Sequence, residues 1–143
     1  MDAYKALLGE ILIQRRCLNR AQLEDALKLQ SGKENSFIGE ILVKLGYLEE
    51  QDIVTALVIQ QGQGYIAVNK YALDSAIVRL IPREWAQKEK VIALDRIGNI
   101  LSVAMAHPLT EDKKRFLGAL TKCAIATFIA AKTQIEDAIM RHY

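Results

Sequence analysis

The feature that most constrains this chain is a near-duplication at its start. Leu7-Leu8-Gly9-Glu10-Ile11-Leu12 returns as Phe37-Ile38-Gly39-Glu40-Ile41-Leu42, a spacing of about 30 residues that falls in the range of supersecondary repeats. The register holds without a gap. Leu18 matches Leu48, Leu23 matches Ile53, Ala26-Leu27 matches Ala56-Leu57, and Gln30 matches Gln60. Two copies of one unit predict a surface with approximate internal symmetry. Such a surface suits a partner or a two-fold ligand better than it suits a catalytic cleft.

Each copy reads as helix, short link, helix. Leu7, Leu8, Ile11 and Leu12 lie at helical spacing and form one apolar stripe. Asn19 is placed to cap the next helix, with Gln22 three residues on as its capping-box partner. Leu18 and Leu23 stand at the N′ and N4 positions of a hydrophobic staple, repeated by Leu48 and Ile53. In the second copy Glu49 replaces Asn19, a poorer cap whose carboxylate still favours a helix N-terminus. Gly46 is free to adopt a positive φ and end the helix before it. Arg16 holds the equivalent place in the first copy, where that conformation costs about 1 kcal/mol, so the first corner is expected to differ in shape. The polar stretch from Ser31 to Ser36, with Gly32 inside it, is the connector.

The pattern changes after Gln60-Gln61-Gly62-Gln63-Gly64. Tyr65 to Val68 reads as a short strand, and Ser75 to Ile81 as a short helix. Pro82 suits the first position of another helix. Val91 to Leu94 and Ile100 to Ala106 flank the turn Ile97-Gly98-Asn99 and predict a hairpin. Thr110 caps a helix through Leu120, Lys122 to Ala130 is β-prone, and Thr133 to Glu136 forms a capping box for a last helix. The reading is an α+β chain. Residues 1–61 form a helical tandem repeat, and residues 65–143 form a small unit with helices on one face of a three-stranded sheet.

Composition removes several classes. A chain of 143 residues with 51% hydrophobic and 25% charged residues is expected to be globular. A net charge of +2 does not by itself imply nucleic acid. The longest apolar run, Cys123 to Ala131, is far short of the roughly 20 residues that span a bilayer. No basic segment followed by an apolar one opens the chain. Cys17 and Cys123 form no CxxC pair, so a reducing, cytoplasmic setting is expected. His107 and His142 with those cysteines have no zinc spacing. Glu10 and Glu40 recur, but a solvated or capping role fits repeated helix positions better than acid–base work. No catalytic residue, metal or cofactor is predicted.

With those residues in view, the chain resembles the N-terminal domain of the type II secretion and type IV pilus assembly ATPases. The resemblance rests on Leu8-Gly9-Glu10-Ile11-Leu12 with Leu23, Ala26-Leu27 and Gln30, and on Ile38-Gly39-Glu40-Ile41-Leu42 with Gly46, Ala56-Leu57 and Gln60. It continues through Leu80-Ile81-Pro82, Val91 to Leu94, Asn99 to Ala106 and Ile135 to Ile139. In this family the tandem repeat of MshEN type binds cyclic di-GMP in some members. In others the domain docks on an inner-membrane platform protein. The resemblance implies a non-catalytic regulatory or docking module that meets the platform protein or the ATPase of such a machine and lies at the inner membrane only through that partner. Its alternative is a cyclic di-GMP sensor.

For a ligand or partner surface the resemblance nominates Leu8, Gly9, Leu12, Ile13, Arg16 and Gln30 in the first copy. In the second it nominates Ile38, Gly39, Leu42, Val43, Gly46 and Gln60. Glycine would let a ligand reach the backbone, aliphatic side chains would cover a purine, and glutamine offers both a donor and an acceptor. The chain departs from the family pattern where Leu7 replaces an arginine and Arg16 replaces a glycine. Losing a charged bidentate contact costs on the order of 1–3 kcal/mol. The family's motor carries a P-loop, GxxxxGK[ST], which this sequence lacks. The expectation is a stand-alone module or a piece of a longer protein. Paired helices also resemble a DNA-binding unit, but Glu24, Asp25 and Asp52 near the starts of the second helices would repel phosphate. No nucleic-acid partner is expected.

Overall fold

The computed structural model describes residues 3–30 and 37–143, with side chains from Leu8 onward. The readings made on the side chain of Leu7 and on the connector from Ser31 to Ser36 lie outside the described residues. The helices α1 (Ala3–Gln14), α2 (Arg20–Gln30), α3 (Ile38–Lys44) and α4 (Glu50–Gln61) form the first part. A 3-10 turn (Val68–Lys70) leads to α5 (Ser75–Val78), α6 (Arg83–Glu89), β1 (Val91–Ile97), β2 (Ile100–Met105), α7 (Glu111–Thr121), β3 (Ala124–Ile129) and α8 (Lys132–His142). The chain divides into two compact units, Met1–Gly62 and Gln63–Tyr143. The break falls in the glutamine–glycine stretch, where Gly62 caps α4 at φ 63°.

In the first unit α1 packs on α4 and α2 packs on α3. Exchanging the two copies turns one pairing into the other, so the repeat closes on itself about an approximate two-fold. Leu8, Leu12, Leu42 and Ala56 are completely buried, and Ile38 and Leu57 nearly so. Burying each large side chain stabilises by about 1.5–3 kcal/mol. The staple positions Leu18, Leu23, Leu48 and Ile53 are buried as well.

In the second unit β1 and β2 form an antiparallel hairpin with Ile97 opposite Ile100, and Gly98 takes φ 61° in the turn between them. β3 pairs parallel with β2, Ile100 beside Ala124 and Met105 beside Ile129, after a crossover through α7. A break in register between Ala93 and Asp95 marks the outer strand β1.

Two expectations are corrected. Tyr65 to Val68 is not a strand, since Tyr65 makes a single bridge to Ile129 before the chain turns into the 3-10 segment. The last helix begins at Lys132 with Ala131 as its cap, and Thr133 lies inside it. There the amide of Ala130 bonds to the carbonyl of Met105 and Ala131 is buried, so packing rather than a capping side chain fixes the helix start.

Candidate functional site

The repeat builds two corners, one between α1 and α2 and one between α3 and α4. At the first, the amide of Arg16 donates to the carbonyl of Ile13 and that of Cys17 to Leu12, both at 3.0 Å. At the second, Gly46 donates to Val43 at 3.0 Å and Tyr47 to Leu42 at 3.1 Å. These are two copies of the Schellman closure. Arg16 sits at φ 61° and Gly46 at φ 79°. The expectation that the first corner would differ is therefore overturned. Arginine has been driven into the left-handed region by the same hydrogen bonds that glycine satisfies without strain, at about 1 kcal/mol.

Each corner leads into a capped helix. Asn19 Oδ1 accepts from the Gln22 amide at 2.8 Å, and Gln22 Oε1 accepts from the Asn19 amide at 3.0 Å. At the second corner the Asp52 carboxylate accepts from the Glu49 amide at 2.9 Å. The corners are neighbours. Cys17 Sγ lies 3.8 Å from Asp52 Oδ1, in the first turn of α4, and Tyr47 Oη lies 3.4 Å from Asp25 Oδ2 on α2. Each link thus touches a helix of the other copy. Residues 17 and 47 are equivalent in the repeat, a signal that sequence alone offered without saying what those residues meet.

An open cavity of about 440 Å³ lies at the first corner, lined by Ile13, Arg16, Cys17, Asn19, Arg20 and Gln22, with Leu18 at its base. Arg20 is held by Glu10 at 2.9 Å. Asn19, Arg20 and Gln22 were not among the nominated residues. Their place one turn beyond the repeat's glycine position was the available clue.

The nominated residues separate into two groups. Ile13, Arg16, Val43, Gly46 and Gln60 keep exposed surface. Leu8, Leu12, Ile38 and Leu42 are core, and Gln30 is 7% exposed. Gly9 and Gly39, nominated as points of ligand approach, are each packed against the following helix of their own copy. A Cβ on Gly9 would stand 2.6 Å from Leu23 Cδ2, and one on Gly39 3.1 Å from Ile53 Cγ2. The repeated glycine exists so that the staple residue of the following helix can lie against the backbone of the preceding one. Gln60 Oε1 accepts from Gln61 Nε2 at 2.9 Å.

Several other polar groups bond within the fold. Ser75 Oγ is 2.9 Å from His142 Nδ1, and Tyr143 Oη donates to the carbonyls of Val78 and Ile81 at 2.8 and 2.6 Å. Burial pushes the Tyr143 phenol up to about 12. Lys113 reaches the buried Glu89 carboxylate at 2.8 Å. Among the described residues no group of His, Cys, Asp and Glu is arranged to hold a metal, and no helix is long and apolar enough to cross a membrane.

Fold and site together define an α+β chain of two compact units, the first built on a duplicated helical corner. The chain belongs to the MshEN domain family, whose pattern matches residues 62–143. That match lies on the second unit rather than on the repeat to which the resemblance had attached the name. The chain is 34% identical over 136 residues to the type IV pilus assembly ATPase PilB of Myxococcus xanthus strain DK1622, covering 95% of this chain and 24% of that protein. It therefore spans about a quarter of the length of the curated relative it matches. A solved structure of MshE with cyclic di-GMP aligns at TM-score 0.75 and 27% identity, over 95% of this chain and 98% of the other. The N-terminal domain of XpsE aligns at TM-score 0.80 and 15% identity over 100% of this chain and 98% of the other, a likeness of fold.

Proposed function

We propose that this chain is a non-catalytic regulatory module of a type IV pilus or type II secretion machine, and that its repeat takes cyclic di-GMP. The observation that carries the reading is the pair of corners. They share one backbone closure, at Arg16 and Gly46, and they lie side by side through Cys17–Asp52 and Tyr47–Asp25. A ligand with two like halves meets two like corners. MshE, solved with that ligand, shares both the fold and 27% of the sequence. The contact surface is then the exposed subset, Ile13, Arg16, Val43, Gly46 and Gln60, while the buried leucines hold the corners in place. Titration calorimetry with cyclic di-GMP, and GTP as control, tests it. Saturable binding that Gln60→Ala weakens supports the reading, and no heat at high protein concentration removes it.

A second reading is docking through the α+β unit onto the platform protein or ATPase of the same machine. It draws on the exposed Ile97, Ile100, Phe116 and Leu120 of that unit, apolar side chains that solvent alone does not favour. Co-purification with such a partner, lost on Phe116→Glu, tests that reading.

A further inference from the structure

We infer that the outer edge of β3 is an acceptor for an extended segment of another protein, which adds to the sheet as a further strand. The phase of the main chain fixes which groups face outward. The amides of Ala124 and Ala130 turn inward, to the carbonyls of Asn99 and Met105. Ile129 turns outward, donating to the carbonyl of Gly64 at 2.8 Å and accepting from the amide of Ile66 at 2.9 Å. These directions alternate along a strand, so the amides and carbonyls of Ile125 and Thr127 face outward as well. Among the described residues neither has a main-chain partner on that side.

The two edges of the sheet differ. β1 is blunted by its register break and by Asp95 and Arg96. β3 pairs with β2 in unbroken register, and the sequence between Lys122 and Lys132 holds no charge and no proline. Ala124 to Phe128 all keep exposed surface. The chain has itself begun to add a strand here. Tyr65 bridges Ile129 in the parallel sense, and Gln63 meets Thr127 by side chain, Thr127 Oγ1 donating to Gln63 Oε1 at 2.7 Å. The addition stops there and leaves Ile125 and the main chain of Thr127 open. Hydrogen bonds to such an edge supply the affinity of an added strand, and alternate side chains supply its specificity. An edge without charge is matched by an uncharged segment. Ala124 and Ala126 point to one face and leave room beside them for β-branched or aromatic side chains. A second copy does not fit. Pairing β3 antiparallel with itself about Ala126 would set Cys123 of the copy opposite Ile129, where Tyr65 already stands.

The acceptor edge requires neither the cyclic di-GMP site nor the apolar surface at Phe116. The test follows the amide resonances of the full chain as a blocked hexapeptide of alternating valine and threonine is added. The amides of Ile125 and Thr127 should shift and gain protection from hydrogen exchange, while that of Ala124, which already donates to Asn99, should not. Thr127→Pro removes one outward donor and leaves the ladder to β2 intact, a change that edge strands tolerate, and it should abolish the response. Thr127→Val removes the bond to Gln63 alone and should keep it. Ala126→Lys retains every main-chain group but sets a charge beside the incoming strand; it should weaken the response, and it serves in place of Thr127→Pro if the proline unfolds the chain. No shift at Ile125 and Thr127, or an undiminished response in Thr127→Pro and Ala126→Lys, would overturn the proposal. Self-association of the native chain that Thr127→Pro abolishes would overturn it too, by making a second copy the occupant.

Discussion

Glycine does two unrelated things in the repeat. At Gly46 it relieves a left-handed corner, with nothing within 4 Å of where a Cβ would stand. At Gly9 and Gly39 it makes room for Leu23 and Ile53. Gly46→Ala should therefore cost about 1 kcal/mol through backbone strain alone. Gly9→Val and Gly39→Val should cost about 1–3 kcal/mol through overpacking, with Gly9 the more sensitive because its contact is closer. Urea unfolding of the three variants checks both the size and the order. The sequence showed that Gly9 and Gly39 mattered, because they recur in register. It did not show why, because the atoms that press on them belong to a helix one link away.

Tyr143 offers a second test at the same scale. Its phenol is raised from 10.0 to about 12 by burial, so the folded protein favours the neutral form. That stabilisation is fully present below pH 10 and is lost as the pH climbs through about 12, because the unfolded chain releases its proton first. Stability followed across this window should fall more steeply in the native chain than in Tyr143→Phe. Below the window Tyr143→Phe should be less stable by about 1–3 kcal/mol, having left the carbonyls of Val78 and Ile81 without their donor. Equal stability of the two proteins at neutral pH would show that these bonds contribute nothing.

Elements set by local rules were the most readable. The Asn19–Gln22 box and the Thr110 cap of α7 both form as their spacing predicts, since each depends on residues three apart. The hairpin follows from its turn in the same way. The misreadings lie where distant packing decides. Ala131 starts α8 although Thr133 has better capping chemistry, and Tyr65 reaches β3 only once. Arg16 is the sharpest case. Propensity argued against a left-handed arginine, and the closure of α1 onto Ile13 and Leu12 overrode it. Asn19→Ala should cost about 1 kcal/mol, and far-ultraviolet thermal melts would register it. The outer strand β1 carries its own protection, with a register break after Ala93 and charges at Asp95 and Arg96.

At the scale of the whole molecule, each unit has its own buried core. Residues 63–143 should therefore fold alone with a cooperative melt and dispersed amide resonances, whereas an unfolded fragment would mean that the α+β unit depends on the repeat. The division of labour follows from where the chemistry sits. The repeat supplies the two corners, the α+β unit supplies most of the family match, and exposed apolar side chains occur on both, Leu29, Val43, Leu45 and Ile59 on the first and Ile97, Ile100, Phe116 and Leu120 on the second.

The central claim is that two equivalent corners form one site for cyclic di-GMP, and titration calorimetry of the full chain tests it most directly. The account predicts saturable binding at one ligand or one stacked ligand pair per chain, absent with GTP and weakened by Gln60→Ala. Titration to high protein concentration with no heat and no change in melting temperature would contradict it, leaving the corners as the joints of a docking scaffold.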